Sequence, residues 1–350
     1  MLLWRPGHAI FLFIYFILQH GPYCAASWPK FYVPPGGDAE RLVDLQTAFK
    51  DALREARVVA ATFSPCEDSF LRYFQKDHQS FVRNLFRTIA NIPLDADIRQ
   101  DNVQQYLNPS NPDLNPDFDD LIISFGDNPG LTSAELSFAS CRSTYAHLNT
   151  RSDGTALMSL CPELFEYPSL DTIENPPPRL RDPPPANTPF IGYTCDRLGD
   201  HDTDWMLSPG GVVLHEFMHW THLFRNVPDF YTWIPDGFIK DFRGPNPANG
   251  YGTFNAEQLL FFSTKWNPKN FRQNEVLQNA DNYAVYAHSK YWSFVCGRTF
   301  SEAKDRADNQ RRTGVPFTWD SFSRNNQPPS TAEGFAGDNV TVQAVAEGPP

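Results

Sequence analysis

The stretch GGVVLHEFMHWTHLF, Gly210 to Phe224, decides how this chain is read. It contains His215-Glu216-x-x-His219. Ser208-Pro209 stands just before it, and Ser at a cap followed by Pro in the first turn is a strong helix start. On that helix His215 and His219 are four residues apart and share one face, one above the other. Two imidazoles about one turn apart can grip a single zinc ion. Glu216 follows the first His directly, which lets it reach an attacking water instead of the ion. From there it can take the water's proton as general base and return it to a leaving amine. The plainer reading is a chance match of two histidines and an exposed Glu. The capped start and the apolar flank Val212, Val213 and Leu214 argue against it.

A catalytic zinc usually has three protein ligands and one open position. His222 faces the same side as His215. Seven residues of helix put it about 10 Å further along the axis, too far for one straight helix to supply all three. The metzincin pattern needs Gly at 222 and His at 225, and this chain has His222 and Arg225. A gluzincin would use a Glu from a later helix, for which Glu257 in NAEQLL is the candidate. A third class uses Asp, and Asp229, Asp236 and Asp241 all follow the helix.

The rest of the chain sets the frame. With 350 residues, 41% of them hydrophobic, it can bury one large core or two modest ones. Residues 1–26 read as a signal peptide, with Arg5, then the apolar run AIFLFIYFIL (Ala9 to Leu18), then Ala25 and Ala26. That run is short against the ~20 residues of a spanning helix. The expectation is a secreted, extracellular protein with no membrane attachment after signal removal. A formal net charge of −12 repels phosphate backbones and anionic lipid, which argues against nucleic-acid partners. Of six cysteines, Cys24 leaves with the signal and five remain, so at least one thiol is free or pairs between chains.

Asp38 to Phe63 places Leu42, Leu45, Phe49 and Leu53 at helical spacing. A second helix is predicted from Ser69 to Ile92, with Phe70, Phe74, Phe81, Leu85 and Ile89 on one side. Asp120 to Phe125 reads as a strand, and residues 107–118 and 173–189 as proline-rich surface loops. The expected domain spans 38–300. Residues 301–350 are read as a polar tail, with a short polar helix at its start and a glycosylation sequon at Asn339.

Several features in matching order resemble the deuterolysin-like (aspzincin) fungal zinc metallopeptidases. They are LQTAFKDALREA (45–56), YFQKDHQSFVRNLFRTIANI (73–92), Cys141 and Cys161 followed by CPELFEYPSL, Cys195, LHEFMH (214–219), Tyr251-Gly252, and NADNYAVYA (279–287) before Cys296. The resemblance covers about 38–300 and is weak between Pro93 and Ser140. It implies an α+β, mainly helical, zincin-like metallopeptidase domain with a small sheet and an HExxH active-site helix. It also implies one catalytic Zn2+ held by His215, His219 and an Asp, with Glu216 as base. The family's ligand motif, GTxxDxxYG, is altered here. Asp241 followed by Tyr251-Gly252 looks like a version stretched by the inserted segment GPNPAN, so Asp241 is the first choice of ligand, Asp236 the second and Glu257 an outsider. Tyr251 is implied to hydrogen-bond the developing oxyanion. Asp281 is implied to stand on the substrate side or behind the metal ligands, with direct ligation as a lesser choice; its plain alternative is a helix cap. The resemblance pairs Cys141 with Cys161 and Cys195 with Cys296, leaving Cys66 over.

The expected function is a monomeric, secreted zinc endopeptidase acting on protein or peptide substrates. The alternative is a non-catalytic secreted zinc-binding or host-surface protein on the same scaffold. The altered ligand motif motivates that alternative. Glu216, which a mere zinc binder does not need, speaks against it.

Overall fold

A computed structural model describes residues 28–36, 39–108, 114–142, 144–175, 194–195, 198–244, 247, 249–265 and 275–304. The predicted signal peptide, the sequon and nearly all of the tail lie outside the described residues, as does most of the loop 173–189.

Helix α1, Ala39–Thr62, buries Leu45, Phe49, Ala52, Leu53, Ala56 and Val59. Leu42, expected on that face, is 37% exposed, because the core begins one turn later. The predicted helix 69–92 is interrupted. It forms α2, Asp68–Tyr73, a single tight turn Lys76–His78, and α3, Gln79–Ile89. Phe74 and Gln75 are extended between them. Gln75 and His78 cap each other reciprocally, so the chain restarts its helix after the break. The apolar side survives: Phe70, Phe74, Phe81, Leu85 and Ile89 are all buried.

Four strands form a mixed sheet in the order β1-β2-β4-β3. They are β1 Lys30–Tyr32, β2 Leu121–Phe125, β3 Ala146–Thr150 and β4 Ala156–Leu160. β1 and β4 run parallel to β2, with Lys30 beside Ile122 and Leu121 beside Ala156. β3 returns antiparallel to β4, with Ala146 opposite Leu160. Every side chain of β4 is buried, as its position inside the sheet requires. Among the described residues the architecture is α+β, mainly helical with one small sheet.

The HExxH stretch forms α4, Pro209–His219, and every residue of that helix is buried. A helix enclosed on all sides needs close neighbours. Gly210 and Gly211 permit them. A Cβ on Gly210 would lie 2.4 Å from Asp51 Cβ and 2.7 Å from the Ala52 nitrogen on α1. One on Gly211 would lie 1.6 Å from His288 Nε2. His288 belongs to helix α6, Ala280–Cys296, the last among the described residues. α4 is therefore clasped between α1 and α6 at its first turn. There Ser208 caps it, its Oγ accepting from the Gly211 amide at 3.0 Å and donating to Glu55 Oε1 at 2.9 Å. Burial raises the pKa of the Glu55 carboxyl and pushes that of His288 down to about 4, so this joint is not a cluster of full charges.

Disulfides join Cys141 to Cys161 and Cys195 to Cys296, and Cys66 is free and exposed. Among the described residues, no helix is long and apolar enough to cross a bilayer.

Candidate metal centre

α4 stops at His219. Trp220 leaves the helix with φ −86° and ψ 83°, and its indole nitrogen donates to Gly154 O at 2.9 Å, in the turn between β3 and β4. His222 then lies in a separate helical turn, Thr221–Phe224. Its ring stacks near Trp220 and presses against Gly154. His222 is thus a packing residue, removed from the His215–His219 pair by the break in the helix as well as by distance.

His215 and His219 point the same way, as i and i+4 must, and their Nε2 atoms are 3.2 Å apart. Asp241 closes the group. Its Oδ1 lies 3.2 Å from His215 Nε2 and its Oδ2 3.6 Å from His219 Nε2. All three side chains are buried. Ligand atoms about 2.0–2.1 Å from a tetrahedral ion stand ~3.3 Å from one another, so this spacing suits one ion.

Proton placement gives a second test of the fit. His219 Nδ1 lies 2.9 Å from Ile239 O, which can only accept, so that nitrogen carries hydrogen. His215 Nδ1 lies 2.9 Å from Asp281 Oδ1, which fixes the same tautomer when the carboxyl is ionised. With both Nδ1 atoms protonated, the neutral rings direct Nε2 lone pairs at each other and at a carboxylate. Such a cluster of acceptors is repulsive by itself and is matched by a cation. The three side chains can therefore hold a metal ion, and the partners behind both rings are those that orient a metal-binding imidazole.

Asp241 reaches this place through backbone pairing. Lys240 N donates to Gln278 O and Ala280 N to Lys240 O, both at 2.8 Å, which sews residues 239–241 to the start of α6. Asn279, the N-cap residue of α6, holds the loop that follows. Its Oδ1 accepts from Phe242 N at 3.0 Å and its Nδ2 donates to Gly250 O at 3.0 Å. Gly250 N in turn donates to Phe242 O at 2.8 Å. The loop between Phe242 and Gly250 is pinched shut at its base, so its length does not disturb Asp241 on one side or Tyr251 on the other. Gly250 has to be glycine here, since a Cβ would lie 2.5 Å from Asn279 Oδ1. Asn279 was present in the NADNY stretch, but nothing in one sequence marked it as the clamp.

Tyr251 is buried beside the metal group, its ring 6.4 Å from that of His215. Gly252 follows with φ 81°, a left-handed conformation that glycine adopts freely, and begins helix α5, Gly252–Lys265. Its amide donates to Asp281 Oδ2. Asp281 is not the helix cap; Asn279 is, and Asp281 stands in the first turn of α6. Its carboxylate is 2% exposed and uses one oxygen on His215 and the other on Gly252. This places it behind His215 and outside the group formed by His215, His219 and Asp241.

The remaining acids are elsewhere. Asp236 pairs with Lys240 and is about half exposed, 51% for its side chain. Asp229 takes a left-handed turn at the start of a short helix, Phe230–Trp233. Glu257 accepts from Ala303 N at 2.7 Å, and burial pushes its pKa up to about 7. Glu216 is fully buried on α4, next to His215. A second group, Asp127, Cys141 and His147, is also compact, but the Cys141 sulfur is committed to its disulfide.

No protein-family profile matches the chain, and no curated protein matches it significantly.

Proposed function

We propose that this chain is a secreted zinc endopeptidase of the deuterolysin-like kind, with a zincin-like domain, acting on proteins or peptides as a monomer. The observation that carries the reading is the convergence of His215 Nε2, His219 Nε2 and the Asp241 carboxylate, with both imidazoles held in the ligand tautomer from behind. His215, His219 and Asp241 would hold the zinc. When bound, the ion polarises the scissile carbonyl and lowers the pKa of an attacking water.

The chain's own groups do the rest. Glu216, one residue beyond His215 on the same helix, accepts the water's proton and passes it to the leaving amine. The Tyr251 hydroxyl donates to the oxyanion as it forms. Asp281 keeps His215 oriented and fixes the turn that carries Tyr251. β3, the strand at one edge of the sheet, packs on α4 and offers its outer edge to an extended peptide. The two disulfides agree with an oxidising compartment.

Glu216→Gln tests this reading. The expected result is a zinc content equal to wild type and a fall in kcat/KM on denatured protein of ~10²–10⁴-fold. Full activity in that variant, or no activity in the zinc-loaded wild type on a broad peptide library, refutes it.

A further inference from the structure

Helix α3 carries Arg83 and Arg87 four residues apart, so they rise from one face. Together with Gln79 and Ser80 they line a surface cleft of about 390 Å³. The end of α1 forms one wall, and Asp97 and Ile98 stand on another. Arg87 is only 6% exposed, and its Nη1 donates to Leu94 O at 2.6 Å, which pins the guanidinium to the loop after α3. The Nε atoms of Arg83 and Arg87 are both buried and make no hydrogen bond to a described residue.

This arrangement is costly as it stands. Like charges four apart on a helix repel, and a buried donor without an acceptor loses its hydration unrepaid. Burial first, and then the neighbouring Arg83, lower the pKa of Arg87; Tyr106 and Asp95 oppose this. Asp97, on the rim, is already engaged by Arg99. An oxyanion in the cleft would offset the repulsion between the two guanidinium charges and accept from those of their N–H groups that face it. The Arg83 fork, with the donors that Arg87 has left beside its bond to Leu94 O, suits a doubly charged tetrahedral group, since a guanidinium can give paired N–H donors to two oxygens.

We propose that the Arg83–Arg87 cleft binds a single phosphate or sulfate group. It does not depend on the metal-site reading. The net charge of −12 over the whole chain makes a polyanion a poor ligand, so the site takes one anionic group, free or as an ester.

The test is calorimetry on the full mature chain with inorganic phosphate, inorganic sulfate and phenyl phosphate in turn, with NaCl at matched ionic strength as reference. One-to-one binding is expected for wild type. Arg83→Gln should weaken it by about tenfold or more, with zinc content unchanged. Arg83→Lys, which keeps the charge but loses the fork, should fall between them. Wild-type protein stripped of metal with a chelator should bind as the untreated protein does, which separates this cleft from anion capture at the metal. Binding of the inorganic ions assigns the cleft to a free group. Binding of phenyl phosphate alone assigns it to an ester. No binding beyond the NaCl reference, equal affinity in Arg83→Gln, or loss of binding when the metal is stripped from the wild-type protein overturns the proposal.

Discussion

Asp281→Asn is the substitution that most directly probes how the metal group is held. In the native site one carboxylate serves two donors: Oδ1 lies 2.9 Å from His215 Nδ1, and Oδ2 accepts from the Gly252 amide. Asparagine is nearly the same size but has one acceptor oxygen. Whichever donor that oxygen keeps, the new NH2 group faces the other, donor against donor. If His215 loses, its ring is no longer held in the tautomer that directs Nε2 toward Asp241. Losing such a partner behind a ligand lowers metal affinity ~10–100-fold, or ~1.4–2.7 kcal/mol. If Gly252 loses, the left-handed turn after Tyr251 is freed, and a buried amide goes unmet at a cost of ~1–3 kcal/mol in stability. Both quantities can be measured, zinc affinity by competition with a chromophoric chelator at neutral pH and stability by denaturant unfolding of the zinc-free protein. One of the two must fall. Zinc affinity within about twofold of wild type, together with unchanged stability, would refute the role given to Asp281.

Three further outcomes follow from the same geometry. Asp241→Ala should lose stoichiometric zinc while His222→Ala keeps it, which metal analysis of the dialysed proteins decides. Gly211→Ala puts a methyl 1.6 Å from His288 Nε2 and should destabilise the fold by ~1–3 kcal/mol or more, read as a lowered unfolding midpoint; a wild-type midpoint would mean that α4 and α6 do not meet there. Asp51 is buried and accepts the Leu170 amide, and burial raises its pKa from 3.8 to about 7. An acid with a raised folded-state pKa binds more protons folded than unfolded, so its stabilising contribution is whole below about 3.8 and is lost as pH rises through about 7. Asp51→Asn keeps an acceptor and cannot ionise. Its stability relative to wild type should therefore improve between about pH 5 and about pH 8, by ~2–3 kcal/mol; a pH-independent difference counts against the shift.

Much of the site is legible in the sequence. Ser208, Pro209, His215, Glu216 and His219 are local features, and helix periodicity alone puts the two histidines on one face. The aromatic side of residues 70–89 was likewise readable, because burial follows spacing even across the break at Phe74 and Gln75. The break itself was not readable, since it depends on a reciprocal cap between two polar side chains in an otherwise helical pattern. Asp241 is a different kind of case. Sequence narrowed the ligand to a few acids but could not rank them on local grounds, because the distance from His219 to each depends on how the loop closes. That closure is made by Asn279 and by backbone pairing with the start of α6, contacts 37 to 40 residues apart in the chain for Asn279–Phe242 and Ala280–Lys240. Asp281 shows the same limit: one residue suited a cap, a substrate contact or a ligand, and only the position of α6 against α4 and α5 turned it toward His215 and Gly252. The sequence by itself determined that one helix carries His215 and His219 on one face with Glu216 beside them, since that follows from 3.6 residues per turn. Only the tertiary structure decided which acid completes the group and what holds it there, because those contacts join segments whose approach no local rule dictates.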